Sequence, residues 1–156
     1  MTTSYNDMTK QELAKHIEEK YHAYLRENLP RTSELLYTVL SSHGSDYHVL
    51  FEVYSLFGQL RAILEQHLLK EETLLFSKLG HGNNAFAKKE IAIDLMKEHD
   101  RTRHILNRLK DITNGYDTTN ILCSDFKQAY VMLNTITQDL LNHYYLEETM
   151  LLKEFV

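Results

Sequence analysis

Apolar residues recur at intervals of three and four along most of the chain, and four long segments carry the pattern unbroken. In the first, His22, Leu25, Leu29, Thr32, Leu36 and Val39 share a face. In the second the stripe is Leu50, Tyr54, Phe57, Leu60, Leu64, His67, Glu71 and Leu74. Ala92, Leu95, His99, Thr102, Leu106 and Leu109 form the third. The fourth is Phe126, Ala129, Leu133, Ile136, Leu140, His143, Glu147 and Met150. Four amphipathic helices with one apolar seam each predict an all-α, up-down-up-down four-helix bundle.

Local signals set the ends. Thr9 with Glu12 three residues later is a capping box, so the first helix begins there and runs to about Ser42, before His43-Gly44-Ser45. Pro30 falls inside it and is expected to kink or break it, because proline lacks a backbone donor and crowds the preceding turn. Asp46 is the expected cap of the second helix, which runs to about Leu79 and stops at the Gly80–Asn84 loop. The third is expected from about Phe86 to Thr113, closed by Asn114-Gly115, and the fourth from Ser124 to the C-terminus.

The seams carry polar residues that a plain bundle would not place there. A block occurs twice: His67-Leu-Leu-Lys-Glu71-Glu-Thr-Leu-Leu and His143-Tyr-Tyr-Leu-Glu147-Glu-Thr-Met-Leu. Both keep a His, a Glu four residues on, then Glu-Thr-x-Leu. Residues four apart lie one turn apart on one helix face, so each block offers an imidazole and a carboxylate to the same point. A single inward His is more simply a hydrogen-bonded core residue. Two inward carboxylates need pairing or a metal.

Level in the bundle selects further ligands. His22 and His67 each lie about 22 residues from the turn near 44–45, so an antiparallel pair brings them level. His99 lies about as far beyond the 80–84 loop as His67 lies before it, and His143 falls within about one turn of the same level. His22, His67, Glu71, His99, His143 and Glu147 are therefore the expected metal ligands. His43, His48 and Glu52 fall at the other end, roughly 30 Å away at helical rise. His81 sits in a loop, His16 nearly two turns from His22, and His104 off the seam. His43 would return toward the site only if Pro30 reversed the chain.

Composition narrows the chemistry. With 156 residues, five Gly and one Pro, a single helical domain over 1–156 is expected. One Cys excludes a disulfide framework and a thiolate-rich metal site, whereas nine His are many. A net charge of −5 without a basic run speaks against nucleic acid and anionic membranes as partners. No membrane-length apolar stretch or signal peptide is read, so a cytoplasmic location is expected. Imidazole and carboxylate ligands suit iron, manganese or zinc, and two bridging carboxylates favour a di-iron centre.

These residues resemble haemerythrin-like di-iron proteins, and among them the repair-of-iron-centres group. The carriers are Tyr-His-x-x-x-Arg-Glu-x-Leu-Pro at 21–30, His-x-x-x-Glu-Glu-x-x-Leu-Phe at 67–76, Glu-His-Asp at 98–100 and His-x-x-x-Glu at 143–147. The resemblance implies two iron ions with an oxo or hydroxo bridge, His22, His67, His99 and His143 as nitrogen ligands, and Glu71 and Glu147 as bridges. It also implies repair of iron–sulfur clusters after nitrosative or oxidative stress, with nitric oxide, oxygen or peroxide and apo iron–sulfur proteins as partners. Reversible gas binding or sensing and iron storage or delivery are the alternatives. Oxygen carriers use an extra His where this chain has Arg103, and His-x-x-x-x-Asp where it has His143-x-x-x-Glu147. The repair group commonly adds a small N-terminal domain with paired Cys, for which no room is expected here.

Overall fold

The computed structural model describes residues 4–80, 82 and 85–155. Five α-helices form the bundle: α1 (Lys10–Ile17), α2 (Ala23–His43), α3 (Val49–Lys70), α4 (Ala85–Ile112) and α5 (Ser124–Met150). A π-helical turn, Glu18–His22, joins α1 to α2 without leaving helical dihedrals, so the two make one rod. A second π turn, Glu71–Leu75, extends α3 and passes into a short 3₁₀ turn, Phe76–Lys78. Short 3₁₀ turns also flank the bundle at Tyr5–Asp7 and Leu152–Phe155. Four antiparallel rods result, α2 packing on α3 and α5, and α3 on α4.

Most expected boundaries hold. Thr9 accepts a hydrogen bond from the Glu12 amide at 3.1 Å, which closes the predicted cap. The second helix starts later than expected: Asp46 lies in the turn and His48 takes the cap position, without a side-chain cap bond. After α4 the chain turns through positive φ at Asn114, Gly115 and Tyr116 (53°, 71° and 61°), a conformation costly for the two non-glycine residues. Tyr116 is anchored there by its buried hydroxyl, 2.9 Å from Thr137 Oγ1. The loop expected at 80–84 lies partly outside the described residues. Among the described residues no helix is long and apolar enough to cross a membrane.

Pro30 does not split the first rod. α2 is continuous through it, and Pro30 faces solvent, so the lost helix hydrogen bond does not fall on the buried seam. His43 consequently stays at the far end, packed against Tyr47 and Phe126.

The seams bury as the periodicity requires, with one shift. Leu74, expected inward, is 41% exposed, and Leu75 is buried in its place. The π turn at Glu71–Leu75 inserts one residue into the repeat and rotates everything after it. The π turn at Glu18–His22 likewise brings two consecutive residues, Tyr21 and His22, to face inward.

The buried apolar residues form two separate clusters. One runs from Leu25, Leu64, Leu68 and Leu140 to Phe126 and Tyr116 at the end that holds the 43–49 turn. The other gathers Leu13, Ile17, Tyr21, Leu75, Leu95 and Leu151 at the opposite end. Between them lies a polar layer.

Replacing Pro30 with Ala restores one backbone hydrogen bond in an exposed helix interior. The Pro30→Ala variant is expected to gain about 2 kcal/mol of stability in urea unfolding. A loss of stability would mean that α2 depends on the proline.

Candidate metal centre

The polar layer consists of His22, His67, Glu71, His99, His143 and Glu147, each wholly shielded from solvent. His22 comes from the first π turn and Glu71 from the second, while His67 ends α3 and His99 is central in α4. His143 and Glu147 come from the last turns of α5. These are the six residues that the seams and their levels pointed to, and one layer contains them all.

Their atoms sort into two groups that share both carboxylates. Glu71 Oε1 lies 3.0 Å from His22 Nε2 and 4.0 Å from His143 Nε2. Glu147 Oε1 lies 2.5 Å from His143 Nε2 and 3.8 Å from His22 Nε2. The other oxygens face the other way: Glu71 Oε2 is 3.2 Å from His67 Nε2, and Glu147 Oε2 is 3.1 Å from His99 Nε2. In each group, His22/His143 and His67/His99, one atom per residue lies within 4.8 Å of the rest, close enough to hold a metal ion.

Two features single this layer out from an ordinary buried ion-pair network. Oε2 of both Glu71 and Glu147 is buried without a hydrogen-bond partner among the described residues. His67 Nε2 and His99 Nε2 face each other at 3.1 Å, where one at most can donate to the other. Orphaned acceptors converging on paired imidazole nitrogens fit a cation, which all of them can ligate at once. The layer is a candidate metal-binding site.

Protons carry part of that burden in the metal-free chain. Burial opposes charge on His22, but Glu147 and Glu71 outweigh it and raise its pKa to about 9. Burial likewise opposes charge on His67, and Glu71, Glu98 and Glu147 raise it to about 10. His99 is raised by Glu147 and Glu148 against the same burial. Glu147, despite burial, is held well below the usual carboxylate range by His143 and His22.

Around the layer stands a ring of carboxylates that the sequence reading left unassigned. Glu72 Oε2 meets His22 Nδ1 at 3.1 Å, Glu98 Oε1 meets His67 Nδ1 at 3.1 Å, and Glu148 Oε2 meets His99 Nδ1 at 3.3 Å. Each is held in turn by a surface cation: Arg26 on Glu72, Lys70 on Glu98, Arg103 on Glu148. An imidazole whose Nδ1–H is fixed this way presents a neutral, oriented Nε2. The doubled Glu of the repeated block was the visible signal for Glu72 and Glu148. Each serves a His on another helix, so spacing within one helix did not reveal the role. Aromatic rings complete the wall, with Phe76 stacked on His22, Tyr21 on His143 and Tyr144 on His99 at 5.8, 5.0 and 3.8 Å between centroids.

The remaining histidines among the described residues stay out. His16 is half-buried between Tyr5 and Tyr21, and His48 and His104 are exposed. Glu52 pairs with Arg108. His81 lies outside the described residues.

Comparison with known proteins identifies the family of the chain. The family described as the Hemerythrin HHE cation binding domain matches residues 13–155. A probable iron-sulfur cluster repair protein of Haemophilus influenzae is 32% identical over 140 residues, covering 90% of this chain and 62% of that protein. The iron-sulfur cluster repair protein ScdA of Staphylococcus epidermidis is 27% identical, covering 91% of this chain and 65% of its own length. The iron-sulfur cluster repair protein DnrN of Neisseria gonorrhoeae is 26% identical, covering 87% and 85%. The chain thus spans a little under two thirds of the first two relatives.

The raised imidazoles fix the pH response of the metal-free chain. Their protonation stabilises the fold fully below about pH 6.5, and that stability is lost as pH rises through about 9 to 10. Glu98, against its burial, is brought down to about 2 by His67 and Lys70; its contribution is present above about pH 4.5 and disappears as pH falls through 2. Urea midpoints of the metal-free protein are expected to fall between pH 6.5 and 10. In the metal-loaded protein they are expected to stay level, because the ion has displaced the protons. A level profile for the metal-free protein would contradict charged imidazoles.

Proposed function

The chain belongs to the Hemerythrin HHE cation-binding family, and from that premise we propose that it is a di-iron protein that repairs damaged iron–sulfur clusters. His22 and His143 would hold one ion and His67 and His99 the other, with Glu71 and Glu147 each giving one oxygen to each ion. The observation that carries this reading is the division of each buried carboxylate between two imidazole pairs. One mononuclear ion would leave one pair unused.

Iron bound there supplies a redox-active centre able to react with nitric oxide or oxidants and to be given up to an acceptor. The protein's own groups set the terms. Four imidazoles and two carboxylates would supply nitrogen and oxygen ligands to two ions without thiolates, and the flanking apolar clusters keep bulk water from the layer. Glu72, Glu98 and Glu148 hold three of the rings in one tautomer. Phe76, Tyr21 and Tyr144 close over the rings, so a molecule reaching the layer must be small.

The three relatives bear iron–sulfur cluster repair in their names, and each aligns with nearly all of this chain. Extending that activity to this chain makes iron–sulfur proteins its targets. Reversible oxygen carriage fits the site less well. Arg103, where a carrier's further imidazole is expected, is tied to Glu148 and Asp100.

Elemental analysis of protein produced with ample iron is expected to give two irons per chain. Glu71→Ala or Glu147→Ala is expected to abolish paired loading, whereas His43→Ala, His48→Ala and Glu52→Ala leave it intact. The iron-loaded protein is expected to restore activity to an iron–sulfur enzyme inactivated by nitric oxide, and Glu147→Ala is expected to fail. One metal per chain would overturn the dinuclear reading, and loaded protein without restoring power would overturn the repair reading.

A further inference from the structure

The two halves of the layer are not held alike. Around the His67/His99 position both rings are anchored through Nδ1, to Glu98 at 3.1 Å and Glu148 at 3.3 Å. Both anchors are themselves fixed, Glu98 by Lys70 at 3.0 Å and Glu148 by a forked contact from Arg103. Tyr144 adds a face-on stack against His99 at 3.8 Å, and the Arg103 guanidinium lies over the Tyr144 ring, 5.5 Å from its centroid.

The His22/His143 position has one such anchor. His22 Nδ1 meets Glu72, which Arg26 holds. His143 Nδ1 is buried and meets no hydrogen-bond partner among the described residues. Asp139, one turn earlier on α5, carries a buried Oδ2 that also lacks a partner among them. Asp139 interacts with His143 electrostatically, but neither of these two atoms is hydrogen-bonded, so on its outer side the ring is held without a hydrogen bond, with Tyr21 stacked on it at 5.0 Å.

We propose that the ion position between His22 and His143 is the exchangeable one, and that the position between His67 and His99 is retained. The inference rests on the di-iron reading above. Both positions draw on the same two carboxylates, so the difference between them lies in their imidazoles. An orienting partner on a ligand His is worth roughly tenfold to a hundredfold in metal affinity, and one half has two where the other has one. Releasing one ion also spares the fold. The retained ion keeps its hold on Glu71 and Glu147, and the two carboxylates are not left as uncompensated buried charges.

The test is a chelator challenge of the fully iron-loaded protein, followed by the iron remaining over time. Two phases of one equivalent each are expected, and anomalous scattering from crystals of the half-depleted protein is expected to place the remaining ion between His67 and His99. Glu148→Gln is expected to speed the slow phase by at least about tenfold and leave the fast phase unchanged, and Glu98→Gln to do the same should the first variant not fold. Asp139→Asn is expected to leave the fast phase unchanged. Loss of both ions in one phase, a remaining ion between His22 and His143, or a faster first phase in Asp139→Asn would each overturn the proposal. Single-phase loss with cluster repair intact would sink this inference alone. Two phases without any repair would sink the function alone.

Discussion

Two carboxylates sit where a helical bundle normally keeps only hydrocarbon, and that constraint governs the structure. Glu71 and Glu147 are fully buried, with apolar clusters on either side. An unpaired buried charge costs several kcal/mol, comparable to the whole stability of a domain of this size. The chain meets that cost by drawing four imidazoles from four rods to one level. Three of the imidazoles in turn have carboxylate partners on their outer nitrogens, and those partners are held by surface cations. Each ring thus extends the demand outward, from the buried carboxylates through His22, His67 and His99 to Arg26, Lys70 and Arg103. A site at the centre of the molecule is in this way specified partly by residues on its surface.

The backbone bends to the same demand. Regular α-helices would place Tyr21 and His22 on diverging faces, and would leave Leu74 inward and Leu75 outward. A π turn at each of two ligand-bearing segments changes the register locally. Such turns are strained insertions that persist mostly where a site needs them. Here one lets Tyr21 stack on His143 while its neighbour His22 reaches Glu71. The other lets Glu71 face the layer while Leu75 and Phe76 close the wall beyond it.

Much of this was legible in the sequence, for reasons that also explain the rest. Periodicity of three and four residues is a property of one helix, so the four rods, their seams and the inward His and Glu could be read directly. Antiparallel packing converts distance from a turn into height, which brought His22 and His99 to the level of the repeated block. Register changes inside a helix leave no compositional mark, and the shift from Leu74 to Leu75 was therefore missed. Pro30 was read as a kink or break because the rule concerns its missing hydrogen bond; of the two, the break is absent, since α2 runs on through an exposed Pro30. The roles of Glu72, Glu98 and Glu148 depend on which helices are neighbours and which way a ring is turned. Neither is encoded in spacing along one segment.

Whether each carboxylate serves two ions is tested most directly by diffraction from the iron-loaded protein at the iron absorption edge. The expected map shows two anomalous peaks, one between His22 and His143 and one between His67 and His99, each contacted by one oxygen of Glu71 and one of Glu147. A single peak, or a carboxylate with both oxygens on the same ion, would contradict it.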